Sequence, residues 1–255
     1  MKHLLIILTA LSLIAAGCQK DPIANARITP IDPFVGEDIT FDNLSTNTDY
    51  TEWDLGDGYT STAFNVIHSY VDPGTYTVTQ RSFRDKGGMS AASYMVEVTG
   101  SELTIVVKEY WEEYVIPDVE IYLFLTLNDW NTGDINLAIG PFYTDKYGEV
   151  TISGLSYQNY YVDAYYRVGN EGYVNWDLGM EDVVWIDTKL LTGWEYHTFI
   201  AYVDAVVFEE KKSASATNEV RKARIPFSTA AGQKKGTGQD HPFKENKTSE
   251  PREKK

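Results

Sequence analysis

Few side chains in this sequence are suited to nucleophilic or metal chemistry. The 255 residues include one cysteine, Cys18, and four histidines: His3, His68, His197 and His241. No Gly-x-Ser-x-Gly or His-Glu-x-x-His pattern sets a nucleophile on a strand-to-helix turn or two histidines on one helix face. The 37 Asp and Glu residues always place some pair of carboxylates close together, so a glycan-processing enzyme stays an alternative. We nevertheless predict that the protein is not an enzyme and has no catalytic residues, no cofactor and no metal.

Cys18 closes an apolar N-terminal segment. Met1-Lys2-His3 is a short positive start, and the run from Leu4 to Ala16 is almost entirely apolar or small. A helix of this length is too short to cross the hydrocarbon core of a bilayer, so the segment has the parts of a secretory signal. Its end, Ala15-Ala16-Gly17-Cys18, resembles the lipobox of a bacterial lipoprotein signal peptide. The resemblance implies that residues 1–17 are removed and that Cys18 is the lipidation site; an ordinary signal with an incidental cysteine is the alternative.

The residues that follow Cys18 bear on where the protein is held. Gln19-Lys20-Asp21 resembles the short charged signals that send lipoproteins to the cell surface in Bacteroidetes-type bacteria. We therefore predict a protein held to the outer membrane by a lipid anchor and exposed on the cell surface, with residues 18–25 as the linker. A plain solvated linker on a periplasmic-facing protein is the alternative. No later segment approaches the roughly 18 apolar residues of a spanning helix.

Charge divides the chain into an acidic body and a basic tail. Residues 1–208 carry 10 Lys and Arg against 30 Asp and Glu, a net charge of −20, whereas residues 209–255 carry 12 against 7, a net charge of +5. The acidic body repels phosphate backbones, so we predict no nucleic-acid binding. The tail has no sustained apolar period, which predicts disorder over 209–255, with Val220 to Phe227 as one further strand. Contact of this basic tail with anionic lipid headgroups is a second interpretation.

Residues 26–99 alternate short strand-like runs with turn sequences. The runs are Ile39 to Phe41, Asn65 to Tyr70, Thr75 to Thr79 and Tyr94 to Val98. They are rich in β-branched and aromatic residues, and Gly, Pro, Asp and Asn separate them. Regular strand spacing of this kind predicts a β-sandwich.

Three ordered motifs in this region resemble the PKD domain family. They are Trp53-Asp54-Leu55-Gly56-Asp57-Gly58, His68-Ser69-Tyr70 and Pro73-Gly74-Thr75-Tyr76-Thr77-Val78, with Leu55 in place of the family's Phe. The resemblance implies an Ig-like sandwich. Its structural motif would consist of Trp53, Asp54, Gly56, Asp57, Gly58, His68, Tyr70, Pro73, Gly74 and Tyr76.

The residues of these motifs have clear structural roles. We expect Trp53 to fill the centre between two sheets. Gly56 and Gly58 permit positive φ in a tight turn. Asp54 and Asp57 can accept hydrogen bonds from the amides of that turn. Clustered carboxylates also suit Ca²⁺, but Asp-x-x-Asp-Gly is far short of a calcium loop, so turn stabilisation is favoured. His68 has no second histidine nearby, which favours a packed or hydrogen-bonded residue over a metal ligand.

Residues 101–208 are also predicted to form strands. The strand-like runs are Leu103 to Val107, Val119 to Leu125, Tyr160 to Tyr166 and Tyr196 to Phe208. The stretch from Thr144 to Leu155, followed by Tyr160-Tyr161-Val162, resembles the prealbumin-like domains found beside carboxypeptidase catalytic domains. An insertion from Asn128 to Pro141 and a Trp-rich stretch after Val168 depart from that family's compact form.

The predicted fold class is therefore all-β, with two tandem β-sandwich domains and a disordered C-terminal tail. A PKD, Ig-like domain occupies residues 26–99, and a prealbumin-like domain occupies residues 101–208. The tail begins at residue 209.

Both resembled families accompany catalytic domains without catalysing, so we predict a binding, adhesion or accessory module for an extracellular glycan or a surface protein. Aromatic rings beside Asp and Asn offer a flat apolar face with polar edges. The candidate ligand-binding residues are Trp130 with Asn128, Asp129 and Asn131, in a predicted loop, and then Trp176. In the alternative interpretation these aromatic residues build the core, and the protein is a passive spacer or scaffold in a surface complex.

Overall fold

A computed structural model describes residues 20–176, 183–208 and 244–253, and almost every regular element within them is a β-strand. The strands are β1 (Ala26–Thr29), β2 (Ile39–Asn43), β3 (Tyr50–Asp54), β4 (Thr60–Ser61), β5 (Val66–His68), β6 (Gly74–Phe83), β7 (Met89–Val98), β8 (Ser101–Glu109), β9 (Glu120–Phe124), β10 (Ala138–Tyr143), β11 (Glu149–Leu155), β12 (Tyr161–Val168), β13 (Glu171–Val174), β14 (Glu195–Val207) and β15 (Lys247–Pro251). Helix α1 (Leu127–Thr132) and two 3-10 turns, Ile135–Leu137 and Val183–Trp185, interrupt them. Cys18 and the predicted signal lie outside the described residues. Within those residues, no helix has the length and apolar character needed to span a membrane.

The chain divides into two compact units. Of the described residues, the first unit holds those up to Ile31 together with Asp38–His68 and Thr75–Val96. The second holds Asp32–Glu37, Ser69–Gly74 and the described residues from Glu97 onward. Two short loops that the sequence assigned to the first domain therefore group with the second unit.

The first unit is built from two sheets, as an Ig-like sandwich requires. Strands β1, β2 and β5 form one sheet, and strands β4, β3, β6 and β7 form the other. Side chains alternate between core and solvent along the strands: Ile39 and Phe41 of β2 are fully buried, as is Trp53 of β3. The Trp53 ring meets the Phe41 ring edge-on, with 6.1 Å between their centroids. The predicted central position of Trp53 is confirmed.

The second unit is one eight-stranded sheet that folds into two layers. Its strand order is β10-β9-β12-β13-β14-β8-β11, and β15 pairs with β14 beside this path. The bend occurs in the thirteen-residue strand β14. Its first half runs parallel to β8, from Tyr196 opposite Glu102 to Val203 opposite Glu109, and its last four residues pair antiparallel with β13. Strand β14 thus belongs to both layers and joins them.

Two larger apolar clusters and a small one of Tyr110, Trp185 and Tyr202 hold this unit together. The larger one fills the space between the layers, where Leu103 and Ile105 of β8 meet Ile121, Leu123 and Phe199. The second lies on the outer face of the β9–β12 layer. It contains Tyr122, Phe124, Trp130, Tyr165, Val174, Trp176, Ile186 and Phe208. Helix α1 contributes Trp130 to it, so the insertion that departs from the compact family form covers a sheet face.

The C-terminal end of the chain corrects one expectation. Disorder was predicted for the whole of 209–255, yet Lys247–Pro251 forms β15 and pairs antiparallel with Glu195–Phe199 of β14. The segment is polar and short, so no apolar period marks it. Its order comes from backbone hydrogen bonds to a strand about fifty residues earlier, which local composition does not reveal. The proposed strand at Val220 to Phe227 lies outside the described residues.

Candidate functional site

The PKD-like motif forms a tight turn whose polar groups are satisfied locally. The Oδ1 atom of Asp54 accepts a hydrogen bond from the Gly56 amide at 3.1 Å, and Oδ1 of Asp57 accepts one from the Tyr59 amide at 3.0 Å. Gly56 and Gly58 have φ of 84° and 93°, in the left-handed region that favours glycine. These aspartates stabilise the turn, as the sequence predicted.

His68 closes the same turn from the neighbouring sheet. Its Nε2 atom lies 2.6 Å from Oδ2 of Asp57, and its ring stacks on Tyr59 with 4.8 Å between centroids. Burial opposes ionisation of Asp57, but the Tyr59 amide and the His68 ring outweigh it and hold the pKa of this carboxyl below its ordinary value. The predicted hydrogen-bonded role of His68 is confirmed.

The remaining motif residues support the fold. Tyr70 is 1% exposed, and Tyr76, two residues into β6 from Gly74, is half-buried. Pro73 directly precedes β6, and Gly74, its first residue, has a positive φ of 152°. Seven residues of the predicted motif belong to the first unit, whereas Tyr70, Pro73 and Gly74 lie in the loop that groups with the second.

The structure corrects the first candidate ligand residue, Trp130. It lies in α1 rather than in a loop, and it is only 1% exposed. Its indole Nε1 donates to the Val162 carbonyl at 3.0 Å. The Thr126 side chain caps the helix by accepting from the Asp129 amide at 3.1 Å, and Gly133 ends it with φ of 64°. The ring is thereby turned onto the sheet and is part of the core.

The residues expected to surround Trp130 do not form a ligand rim around it. Asn128 is exposed, whereas Asp129 and Asn131 are half-buried. The Asp129 carboxylate accepts from the Thr126 hydroxyl at 2.7 Å and so serves the helix cap. Trp176, the second candidate, is 9% exposed and belongs to the same outer cluster. The predicted ligand site built on Trp130 and Trp176 is therefore wrong.

The Thr144 to Leu155 motif forms the turn between β10 and β11 together with β11 itself. The Thr144 hydroxyl accepts from the Val119 amide at 2.9 Å and donates to the Ile116 carbonyl at 3.0 Å. One Asp145 oxygen accepts from the amides of Tyr147 and Glu149. These bonds fix the β10–β11 turn against the start of β9, and they account for the motif in structural terms.

His197, the second histidine of the body, is also structural. It is 2% exposed, and its Nε2 accepts a hydrogen bond from the Thr192 amide at 2.9 Å. Burial lowers its pKa below the ordinary value, which keeps the ring neutral. His241 lies outside the described residues. Among the described residues, no cluster of three His, Cys, Asp or Glu side chains suits a metal ion.

A concave surface of the second unit lies elsewhere, on the face of β12, β13 and β14. Two rows of side chains cross these strands. In one row, Tyr166 lies opposite Tyr173, which lies opposite Ala205; in the other, Val168 lies opposite Glu171, which lies opposite Val207. Together they line a concavity of about 520 Å³, named here the tyrosine concavity. Val168 is 64% exposed and Val207 75%, so apolar surface is open to solvent there.

The tyrosines of this surface are held in place. The Tyr166 and Tyr173 rings have centroids 6.4 Å apart and an interplanar angle of 35°. The Tyr173 hydroxyl lies 2.8 Å from that of Tyr114, which is itself 44% exposed. This hydrogen bond, with a smaller effect of burial, raises the pKa of Tyr114 to about 12. The Tyr114 hydroxyl is therefore a neutral hydrogen-bonding group throughout the physiological range.

A smaller polar concavity of about 360 Å³ lies beside it. Asp118, Glu120 and Arg167 line it together with Tyr165 and Tyr166. The Tyr122 hydroxyl donates to Glu120 at 3.2 Å. Opposite charges and aromatic rings thus flank the same stretch of β12.

Sequence reasoning did not find the tyrosine concavity, although one signal was present. Strands β12 and β13 are joined by the two residues Gly169 and Asn170, a pair typical of a tight hairpin. A hairpin at that point places Tyr166 opposite Tyr173. The third row member comes from β14, about thirty residues later, and no local pattern predicts it.

Comparison with known proteins supports the interpretation of the first unit. A family model described as "PKD domain" matches residues 19–99. The PKD1 domain of the Vibrio cholerae metalloprotease PrtV is 28% identical, with a TM-score of 0.27 and coverage of 31% of this chain and 98% of its own. The PKD1 domain of Vibrio anguillarum Epp is 26% identical, with a TM-score of 0.28 and coverage of 31% and 95%.

One further solved structure comes from work on carbohydrate-binding modules of the beta-sandwich superfamily. It is 16% identical, with a TM-score of 0.30 and coverage of 54% of this chain and 86% of its own. The family match covers the whole Trp53 to Val78 motif region. Residues 19–99 therefore match a PKD domain, and the two-layered sheet of the second unit follows this region in the sequence.

Proposed function

We propose that this protein is a non-catalytic binding module that is held at a membrane by Cys18 and binds a glycan in its second sandwich. The observation that carries the proposal is the tyrosine concavity, in which two tyrosines, a carboxylate and open apolar surface share one sheet face. In this proposal the second sandwich is prealbumin-like and the protein is displayed on the outer surface of the outer membrane.

The chemistry of the concavity suits a sugar ring. The C–H face of a pyranose packs on aromatic rings, and its hydroxyls need hydrogen-bond partners at the rim. Tyr166 and Tyr173 offer the rings, and Glu171 offers an exposed carboxylate in the middle of the second row. The Tyr114–Tyr173 hydroxyl pair adds a donor and an acceptor.

A protein partner is the second candidate, and the exposed valines favour it. Val168 and Val207 lie at the two ends of the second row, and uncovered aliphatic side chains of this kind are typical of protein contacts. If neither a glycan nor a protein binds, the protein is a spacer without a ligand.

The test is affinity electrophoresis against a panel of bacterial and plant polysaccharides, followed by calorimetry on the glycan retained. Tyr173→Ala should weaken binding by about 2 kcal/mol, which is about thirtyfold in Kd. Glu171→Gln keeps the shape and removes the charge, so it should weaken binding without loss of stability. Tyr147→Ala is the matched control, because Tyr147 is 60% exposed but lies in the β10–β11 turn.

The outcome decides between the candidates. Suppose that no glycan is retained, and that a purified protein partner binds the wild type but not the Val168→Ser variant. The ligand would then be a protein and not a glycan. Equal effects of Tyr173→Ala and Tyr147→Ala would contradict a site at the tyrosine concavity.

The anchor is tested separately from the ligand. Cys18→Ser should release the protein from the membrane fraction without affecting its folding, because acyl chains provide the membrane affinity and the sandwiches do not. Membrane fractionation beside circular dichroism checks this. A variant still firmly membrane-bound after signal cleavage would contradict the lipoprotein proposal.

A further inference from the structure

The C-terminal segment, residues 244–253, lies along one edge of β14 beside a buried histidine. Strand β15 pairs antiparallel with Glu195–Phe199, and His197 lies directly opposite Ser249. The backbone hydrogen bonds continue past both ends of β15. Residues 244–253 are named the C-terminal strap below.

Two basic side chains of the strap bind the loop that precedes β14. The Lys247 ammonium donates to the Leu190 carbonyl at 3.0 Å. Nη1 of Arg252 donates to the Gly193 carbonyl at 2.9 Å. The strap therefore places one positive charge at each end of residues 190–193.

The same loop holds the His197 ring between these two contacts. Nε2 lies 2.9 Å from the Thr192 amide nitrogen and 3.0 Å from the Thr192 carbonyl oxygen. A neutral ring accepts the amide hydrogen bond, whereas a protonated ring carries a hydrogen on Nε2 and can only donate. Protonation therefore takes the acceptor away from the Thr192 amide. Nδ1 is buried and has no hydrogen-bond partner among the described residues, so the charged ring would gain no acceptor on that side.

The surroundings of the ring oppose a positive charge on it. His197 is 2% exposed, and burial is the largest influence that lowers its pKa below the ordinary 6.5. The strap cations Lys247 and Arg252 lower this pKa further. The hydrogen bond to the Thr192 backbone and the Glu195 carboxylate act in the opposite direction without outweighing them.

Occupancy of the strap and protonation of His197 are therefore linked. On its other side, β14 places the uncharged Leu103 of β8 opposite His197, and residues 190–193 carry no charged side chain. Departure of the strap removes both cations and part of the burial, so the pKa returns towards 6.5. Because the pKa is lower with the strap in place, the strap is fully stabilised above about pH 6.5. Below that pH its closed-to-open ratio falls by up to about tenfold per pH unit.

We propose that the C-terminal strap is a pH-sensitive device, which stays on β14 at neutral pH and is released when His197 is protonated in mildly acidic surroundings. Release frees the edge of β14 at Glu195–Phe199. It also withdraws Lys244, whose ammonium lies 4.5 Å from the centroid of the Tyr110 ring and 5.2 Å from that of Tyr202. Acid thus frees a sheet edge and two aromatic faces together. This inference does not depend on a glycan ligand.

The experiment is amide hydrogen exchange of the full chain, followed by mass spectrometry at about pH 7.5 and about pH 5.5. The rate for an unstructured peptide of the strap sequence at the same pH is divided by the rate for the strap, which removes the pH dependence of the exchange chemistry. The resulting protection factor measures the closed-to-open ratio of the strap.

Strap protection should fall by up to about tenfold from the higher to the lower pH, and a fall of less than about twofold would overturn the proposal. The strap should also exchange faster than β8 at both pH values, because it opens while the rest of its unit stays folded. Equal protection of the strap and β8 would show that the unit opens as a whole, which contradicts release of the strap.

Two histidine variants identify the group that titrates. In His197→Gln the side-chain carbonyl can still accept from the Thr192 amide but cannot be protonated in this range, so the pH dependence of strap protection should disappear. His68→Gln is the matched control, because it removes the histidine bound to Asp57 in the first unit and should keep the full fall. A full fall in His197→Gln would overturn the proposal.

Lys247→Met provides a second test that does not need His197→Gln to fold. The substitution keeps most of the aliphatic stem and removes one of the two cations that act on the ring. It should lower strap protection at both pH values, because the bond to the Leu190 carbonyl is lost, and it should make the fall between them smaller. A fall as large as that of the wild type would contradict the role of the strap cations.

Discussion

The burial of Trp130 leads to a sharp prediction for Trp130→Ala. The residue is 1% exposed, and its side chain packs from α1 onto the outer face of the β9–β12 layer. A tryptophan buries about 150–250 Å² of surface, which at about 25 cal/mol per Å² is an upper limit of about 4–6 kcal/mol. Truncations of buried large aromatics cost about 3–5 kcal/mol. We expect a loss of about 4 kcal/mol.

The indole hydrogen bond changes this figure little. The Val162 carbonyl that accepts from Trp130 also accepts from Nδ2 of Asn175 at 2.9 Å. The truncation therefore leaves no buried acceptor without a partner, and the lost bond contributes only about 1 kcal/mol. Trp130→Phe, which keeps most of the ring but not the N–H, should cost about 1–2 kcal/mol.

The assay is urea unfolding followed by circular dichroism. With a slope of about 2 kcal/mol per M, a loss of 4 kcal/mol lowers the midpoint of the second unit by about 2 M. Trp111→Ala is the matched control, because Trp111 is 42% exposed and should lose at most about 1 kcal/mol. Equal midpoints for Trp130→Ala and wild type, with loss of ligand retention, would refute the burial argument and restore Trp130 as a ligand-binding residue.

Three further outcomes follow from the described contacts. Trp53→Ala should destabilise the first unit by about 3–5 kcal/mol in the same unfolding assay, because it empties the sandwich centre. Gly58→Ala should lower the free energy of unfolding by about 1–2 kcal/mol because of its left-handed φ. Gly56→Ala should lower it more, because a Cβ there would lie 2.8 Å from a backbone carbonyl oxygen, and thermal melts of the two variants test this order. The pKa of Tyr114 lies above its ordinary 10.0, so the stabilisation from its hydroxyl pair is complete below pH 10 and is lost as the pH rises towards 12; tyrosinate absorbance should show that Tyr173→Phe lowers this pKa.

Features with short-range causes were predictable from the sequence. The Asp54 and Asp57 carboxylates bond amides two residues away, and Gly56 supplies the φ that the turn requires. The Thr144 to Leu155 motif likewise contains its own turn and the whole of β11. Strand composition and alternation placed most strands, since the period of two is a local property.

The position of α1 shows where local reasoning failed. The sequence around Trp130 is rich in Asn and Asp, which favours a loop. Thr126, Asp129 and Gly133 are instead capping residues of a single helical turn and a half. The indole's partner, Val162, is 32 residues away, so the burial of the ring depends on a sheet face that the helix itself does not specify.

The sequence by itself therefore determined the two sandwich units and the motif turns, because their deciding contacts lie within a few residues. Tertiary structure alone decided which aromatics face solvent, since the tyrosine concavity combines β12, β13 and β14 in a register that no single segment encodes. It also decided that the C-terminal segment forms a strand. Lys247–Pro251 has no apolar side chains to predict a strand. It is ordered because its backbone pairs with the edge of β14 and because Lys244 and Arg252 donate to the carbonyls of Tyr110 and Gly100.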